Sequence, residues 1–159
     1  LVRGLPPGEQ RLQATFALLS GRLLALGDDL TMLQPSELAT LEKAASLPSI
    51  ASTSALGFVP LDGPGEPRAT SLSKAEALVD PESYTVPAAW SARGLSEGAL
   101  VGLLNWSSAE GTFRLEPRQL GLERAAEAEE LWQGLAVSRE GEALSVTVPA
   151  HDAAYLRVR

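Results

Sequence analysis

Ala99 to Trp106 reads Ala-Leu-Val-Gly-Leu-Leu-Asn-Trp, an apolar run closed by one polar and one aromatic residue. Side chains alternate along an extended chain, so Leu100, Gly102 and Leu104 share one face and Ala99, Val101 and Leu103 the other. A strand with no polar face must be covered on both sides. This predicts a central strand, ending in a turn at Asn105 and Trp106.

The residues that follow read as its partners. Thr112 to Glu116 alternates with Phe113 and Leu115 inward, and the turn-like stretch from Trp106 to Gly111 predicts that the two runs form a hairpin. Further on, Leu144, Val146 and Val148 alternate with Ser145 and Thr147, after a turn at Glu140-Gly141. Ala154, Leu156 and Val158 then alternate with Tyr155 and Arg157. Short alternating strands at about 10-residue spacing, with turns between them, are the pattern of an antiparallel β-sandwich. The expected fold class is therefore mainly β.

The front of the chain has a different period. Pro6 and Pro7 suit a helix entry, and Leu12, Phe16, Leu19 and Leu23 recur at helical spacing on one face, with the helix end expected at Ser20-Gly21. Arg22 to Leu26 fits a short buried strand, and Gly27-Asp28-Asp29 a turn. Pro35 opens a second amphipathic helix carrying Leu38, Leu41 and Ala45, which stops by Pro48. Helix, strand, loop, helix is one and a half units of a parallel α/β protein, too little to close a barrel alone. Residues 49 to 98 hold no sustained period and are broken by Gly57, Gly63, Pro64, Gly65 and Pro67. They read as a connector with extended pieces at Leu56–Leu61 and Tyr84–Ser91. The expected division is 1–48 and 49–159.

Composition narrows the function. A net charge of −7, from 13 basic and 20 acidic residues, argues against nucleic acid or an anionic membrane as partner. With no cysteine, disulfides and thiol chemistry are excluded. No apolar run approaches the roughly 20 residues of a membrane span. Leu1 rather than Met at the start points to a fragment, leaving the compartment, cytoplasmic or secreted, unread.

Three stretches in order carry a resemblance. Gly27-Asp28-Asp29-Leu30 before a Pro-initiated helix resembles the end of the catalytic barrel in the α-galactosidase (melibiase-like) clan of glycoside hydrolases. Val59-Pro60-Leu61-Asp62 with Val86-Pro87 and Trp90 resembles the crossing to the C-terminal domain of such enzymes. Val101 to Trp106, Leu120-Gly121-Leu122, Glu130-Leu131-Trp132 and Val148-Pro149-Ala150-His151 before Leu156-Arg157-Val158 resemble that domain itself. The resemblance implies that residues 1–48 are the C-terminal remnant of a (β/α)8 catalytic barrel and 49–159 the connector and sandwich. It implies a parent enzyme that cleaves terminal α-linked sugars, commonly α-galactosides, with retention. Its carbohydrate substrate would be bound by the barrel in cis, with no cofactor. Retention needs two carboxyl groups roughly 5 Å apart, which the family carries on middle barrel strands. Those positions precede Leu1, so no catalytic residue is assigned here and the fragment alone is expected to be inactive.

On that resemblance Asp28 and Asp29 would sit on the active-site rim. Adjacent residues of an extended chain point apart, so hydrogen bonding of the following loop is the favoured role. His151, the sole histidine, stands alone and reads as structural. Glu127, Glu129 and Glu130 lack the spacing of a calcium loop and read as a solvated strand edge. No Gly-x-Ser-x-Gly elbow is present, and Gly63-Pro64-Gly65 is too rich in proline for a phosphate cradle. Trp90, Trp106 and Trp132 admit two readings: sugar-stacking platforms of a carbohydrate-binding module, or core and end-covering aromatics. Trp106 ends a central strand and Trp132 sits in an apolar Leu131-Trp132 pair, which favours the second.

Overall fold

A computed structural model describes residues 3–20, 29–48, 59–61, 89–95, 98–123 and 127–159. Two helices come first, α1 (Pro7–Ser20) and α2 (Pro35–Ser46). The strands are β1 (Val59–Leu61), β2 (Ala89–Leu95), β3 (Gly98–Asn105), β4 (Gly111–Leu115), β5 (Ala128–Glu130), β6 (Val137–Glu140), β7 (Ala143–Val148) and β8 (Asp152–Val158). Short 3-10 turns occupy Leu30–Met32 and Pro117–Leu120. Residues 22–26, expected as a strand, lie outside the described residues, as do the front portions of both predicted extended pieces.

Among the described residues all pairings are antiparallel, in a five-stranded sheet of order β1-β2-β3-β8-β5 and a three-stranded sheet of order β4-β7-β6. The two sheets enclose one core, in which Val101, Leu103, Phe113, Leu115, Val146, Val148, Leu156 and Val158 are buried. The chain is thus mainly β, an antiparallel sandwich preceded by helices, and β3 lies at the middle of its sheet as its two apolar faces require.

The second face of β3 is covered from within the chain. Helix α1 lies across it: Leu12 packs with Leu104 and Ala153, while Ala14, Leu18 and Leu19 pack with Leu100, Tyr155 and Trp132. Gly102 has no side chain because a Cβ there would collide with Leu19 and stand 2.9 Å from Thr15 Cγ2. Gly8 does the same for the first turn of α1, whose Cβ would strike the carbonyl of His151. The expected stripe on α1 is therefore rotated. Leu12 and Leu19 are buried, but Phe16 is 40% exposed, and Thr15 and Ala14 take the inward positions.

Helix α2 starts at Pro35, and the Glu37 carboxylate accepts the Gln34 N–H at 2.7 Å, closing the first turn. A second bond, from the Gly4 N–H at 2.6 Å, ties the chain ahead of α1 to α2. Leu41 and Ala44 are buried and Leu38 half-buried.

The hairpin expected between β3 and β4 does not form. β3 pairs with β2 and β8, and β4 pairs with β7 in the opposite sheet. The difference follows from burial: β3 is buried on both faces, whereas β4 exposes Thr112 and Arg114 and needs a sheet with one wet face. Residues 106–110 carry the chain across the sandwich. A hairpin does form one step later, where β6 turns through Gly141 into β7.

Candidate functional site

The rim candidate Asp29 is exposed and caps the 3-10 turn Leu30–Met32. Its carboxylate accepts the Thr31 hydroxyl at 2.7 Å and the Thr31 N–H at 3.0 Å. Those bonds, the hydroxyl first and the backbone second, hold its pKa below the ordinary carboxylate value. The group is thus an ionised, locally engaged carboxylate that orders its own loop. Asp28 lies outside the described residues.

The three tryptophans occupy unlike places. Trp132 is 8% exposed in the cluster beneath α1, and its indole N–H donates to Thr15 Oγ1 at 2.7 Å. A ring enclosed in this way has no face for a sugar, so stacking is withdrawn for Trp132. Of the two placements expected for Trp106, in the core or over the sandwich end, burial excludes the first: it is 48% exposed, one residue beyond β3. β3 ends in buried Asn105, after which the crossing loop turns outward. Trp90 is placed by backbone register alone, opposite Gly102 and Pro60.

The acidic run splits. Glu127 and Glu129 are exposed, with Glu129 3.7 Å from Arg157, but Glu130 is buried at 7% exposure rather than solvated. Its Oε1 accepts the N–H groups of Trp132 at 2.9 Å and Tyr155 at 3.1 Å. Its Oε2 accepts those of Gln133 and Gly134 at 2.8 Å and Leu135 at 3.3 Å. Both oxygens are saturated by protein donors, which removes them from metal ligation. A cleft of about 420 Å³ beside this strand is lined by Glu127, Ala128, Glu129, Arg139, Arg157 and Arg159, charges of both signs.

Sequence reasoning missed the polar residues that join helix to sheet. Arg11 grips Asp152 with two bonds, 2.8 and 2.6 Å, and Gln133 Nε2 donates to the same carboxylate at 3.3 Å. The Tyr155 hydroxyl donates to the carbonyl of Pro48 at 2.8 Å, beyond the end of α2. Nothing local marks these partners, since Arg11 and Asp152 stand 141 positions apart. His151, exposed and with a φ of 49°, shapes the β7–β8 turn and donates its N–H to the Ser107 carbonyl at 3.1 Å.

Burial raises the Tyr155 pKa above its ordinary value near 10, and the Arg157 charge offsets this only in part. The unfolded chain would release this proton near pH 10 while the folded chain retains it. The tyrosine's contribution is therefore complete below about pH 10 and is lost as pH rises toward the folded value. Urea midpoints measured from pH 8 to 11 should fall above about pH 10, and Tyr155→Phe should flatten that fall. An unchanged alkaline slope in the variant would show that Tyr155 does not carry it.

Residues 85–158 match the family model described as Alpha galactosidase C-terminal beta sandwich domain. No curated protein matches the chain by sequence. Among solved structures, the chain is similar to α-galactosidase I from Mortierella vinacea at 17% identity and a TM-score of 0.65, over 98% of this chain and 36% of that one. It is similar to the α-galactosidase from Saccharomyces cerevisiae, solved with raffinose, at 13% identity and a TM-score of 0.64, over 99% and 44%. It also resembles a GH27 β-L-arabinopyranosidase from Geobacillus stearothermophilus at 16% identity and a TM-score of 0.60, over 98% and 31%. At these identities the likeness is one of fold. The shared fold includes α1 and α2 as well as the sandwich, and the chain spans less than half the length of each of these proteins.

Proposed function

We propose, from the match of residues 85–158 to the family model described as Alpha galactosidase C-terminal beta sandwich domain, that the chain is the C-terminal part of a retaining glycoside hydrolase acting on terminal α-linked sugars, with α-galactosides as substrates. Residues 1–48 would be the end of its catalytic barrel and 49–159 the connector and sandwich. The catalytic carboxylates would lie in the barrel ahead of residue 1. The sandwich serves as a platform that carries the barrel end and does not touch substrate. The observation that supports this role is the outer face of β3 and β8, whose Leu100, Leu104, Ala153 and Tyr155 are buried under α1. An autonomous sandwich would wet that face.

The 159-residue chain should therefore release no aryl alcohol from aryl α-galactosides or other aryl glycosides above background. Turnover that is abolished by a substitution within the chain, Asp29→Asn for instance, would overturn the assignment. A second reading, a carbohydrate-binding module, draws on the exposure of Trp106. Titration with galactose, melibiose or galactomannan should leave tryptophan fluorescence unchanged. A saturable shift lost in Trp106→Ala would install that second reading instead.

A further inference from the structure

We infer that Glu130 is the positioning residue of a latch that fastens the sandwich to α1. It deepens the platform role proposed above by naming the group that sets the docking geometry. Four of the five N–H groups on its carboxylate belong to the consecutive residues 132–135, and the fifth belongs to Tyr155 in β8. Hydrogen bonds to an ionised acceptor are about twice as strong as neutral ones. One buried side chain thus dictates the path of a whole loop and anchors it to β8, the strand beside β3.

That path delivers one side chain to the helix and a second to the carboxylate that holds it. Trp132 reaches Thr15 at 2.7 Å, and Gln133 reaches the Asp152 carboxylate that grips Arg11. Arg11 and Thr15 are four residues apart, on adjacent turns of α1, so the loop engages one side of the helix directly at Thr15 and, through Asp152, at Arg11. The bare backbone of Gly102 leaves the space in which this helix sits. Glu130 touches nothing on α1 through these bonds; it acts by holding the groups that do.

Hydrogen exchange read by mass spectrometry on the full 159-residue chain tests this. Glu130→Gln keeps the size of the side chain but leaves one acceptor oxygen and turns an NH2 group toward amide donors. It should accelerate exchange of residues 132–135 and of the α1 amides by roughly tenfold or more, while β4, β6 and β7 keep wild-type rates, as local opening of one unit predicts. The α1 amides holding their wild-type rate, or all strands accelerating equally, would overturn the proposal. Should Glu130→Gln not fold, Thr15→Val decides the direction of control. It should loosen α1 while residues 132–135 stay protected on Glu130, and equal loss in both segments would sink the idea. Glu130→Asp, which keeps the charge, should restore part of the protection lost in the glutamine variant. Failure of the glycosidase assignment would show in activity assays and leave these exchange rates unaffected.

Discussion

Gly102→Val should destabilise the chain by about 3 kcal/mol or more, in the range where overpacking and loss of a packed element combine. A Cβ at this position already collides with Leu19 and crowds Thr15, and valine adds two methyl groups with one stiff χ1. The sheet has no room to yield, because β3 is held by β2 on one side and β8 on the other. The helix must move instead. Lifting α1 exposes Leu12 and Leu19, each now about 1% exposed, and a fully buried leucine is worth roughly 1.5–3 kcal/mol. Gly102→Ala should be milder, about 1 kcal/mol, because its nearest neighbour is the rotatable end of Leu19. Urea denaturation would register both, and a valine variant within 0.5 kcal/mol of the parent would mean that α1 is not seated on β3 in solution.

Asn105→Ala should cost about 3 kcal/mol, for a different reason: unsatisfied polar groups rather than volume. Asn105 is buried where the chain leaves β3 to cross the sandwich. The two N–H donors of its Nδ2 are shared among the carbonyls of Ala109 at 2.8 Å, Pro149 at 2.9 Å and Val148 at 3.0 Å. Its Oδ1 accepts the Ser107 hydroxyl at 2.7 Å and N–H at 3.1 Å. One amide therefore binds the crossing loop to the end of β7. Alanine would leave those carbonyls without their donor, at least one of them away from water. Asn105→Asp keeps the shape but presents an acceptor to three carbonyls, and at neutral pH should lose at least as much. Thermal unfolding of the two variants checks this. An alanine variant with an unchanged melting temperature would show that the crossing loop holds itself.

Alternation along β4 and β7 and the two-faced apolar run of β3 were legible in the sequence, because burial of side chains at period two leaves a local trace; β8 reads as alternating too, but it is buried on both faces because α1 covers Ala153 and Tyr155 as well. So was α2, whose proline entry and apolar positions lie within one stretch. The candidate site was legible only in part. Asp29 could be expected to serve its own loop because its partner, Thr31, is two residues away, but burial separated Glu130 from Glu129 and Trp132 from Trp106, and no neighbour in sequence records that.

Alternation tells which face a residue takes, not which strand lies beside it. That is why the adjacent runs β3 and β4 looked like a hairpin, although each pairs across a long span, with β8 and β7. By itself the sequence determined that β3, β4, β7 and β8 extend, that the chain coils into two helices ahead of them, and that β3 must be covered on both sides. Tertiary structure alone decided that the cover is α1, that Glu130 gathers a loop and that Arg11 meets Asp152. These contacts join residues as far as 141 positions apart, and their energy exists only once the chain has closed on itself.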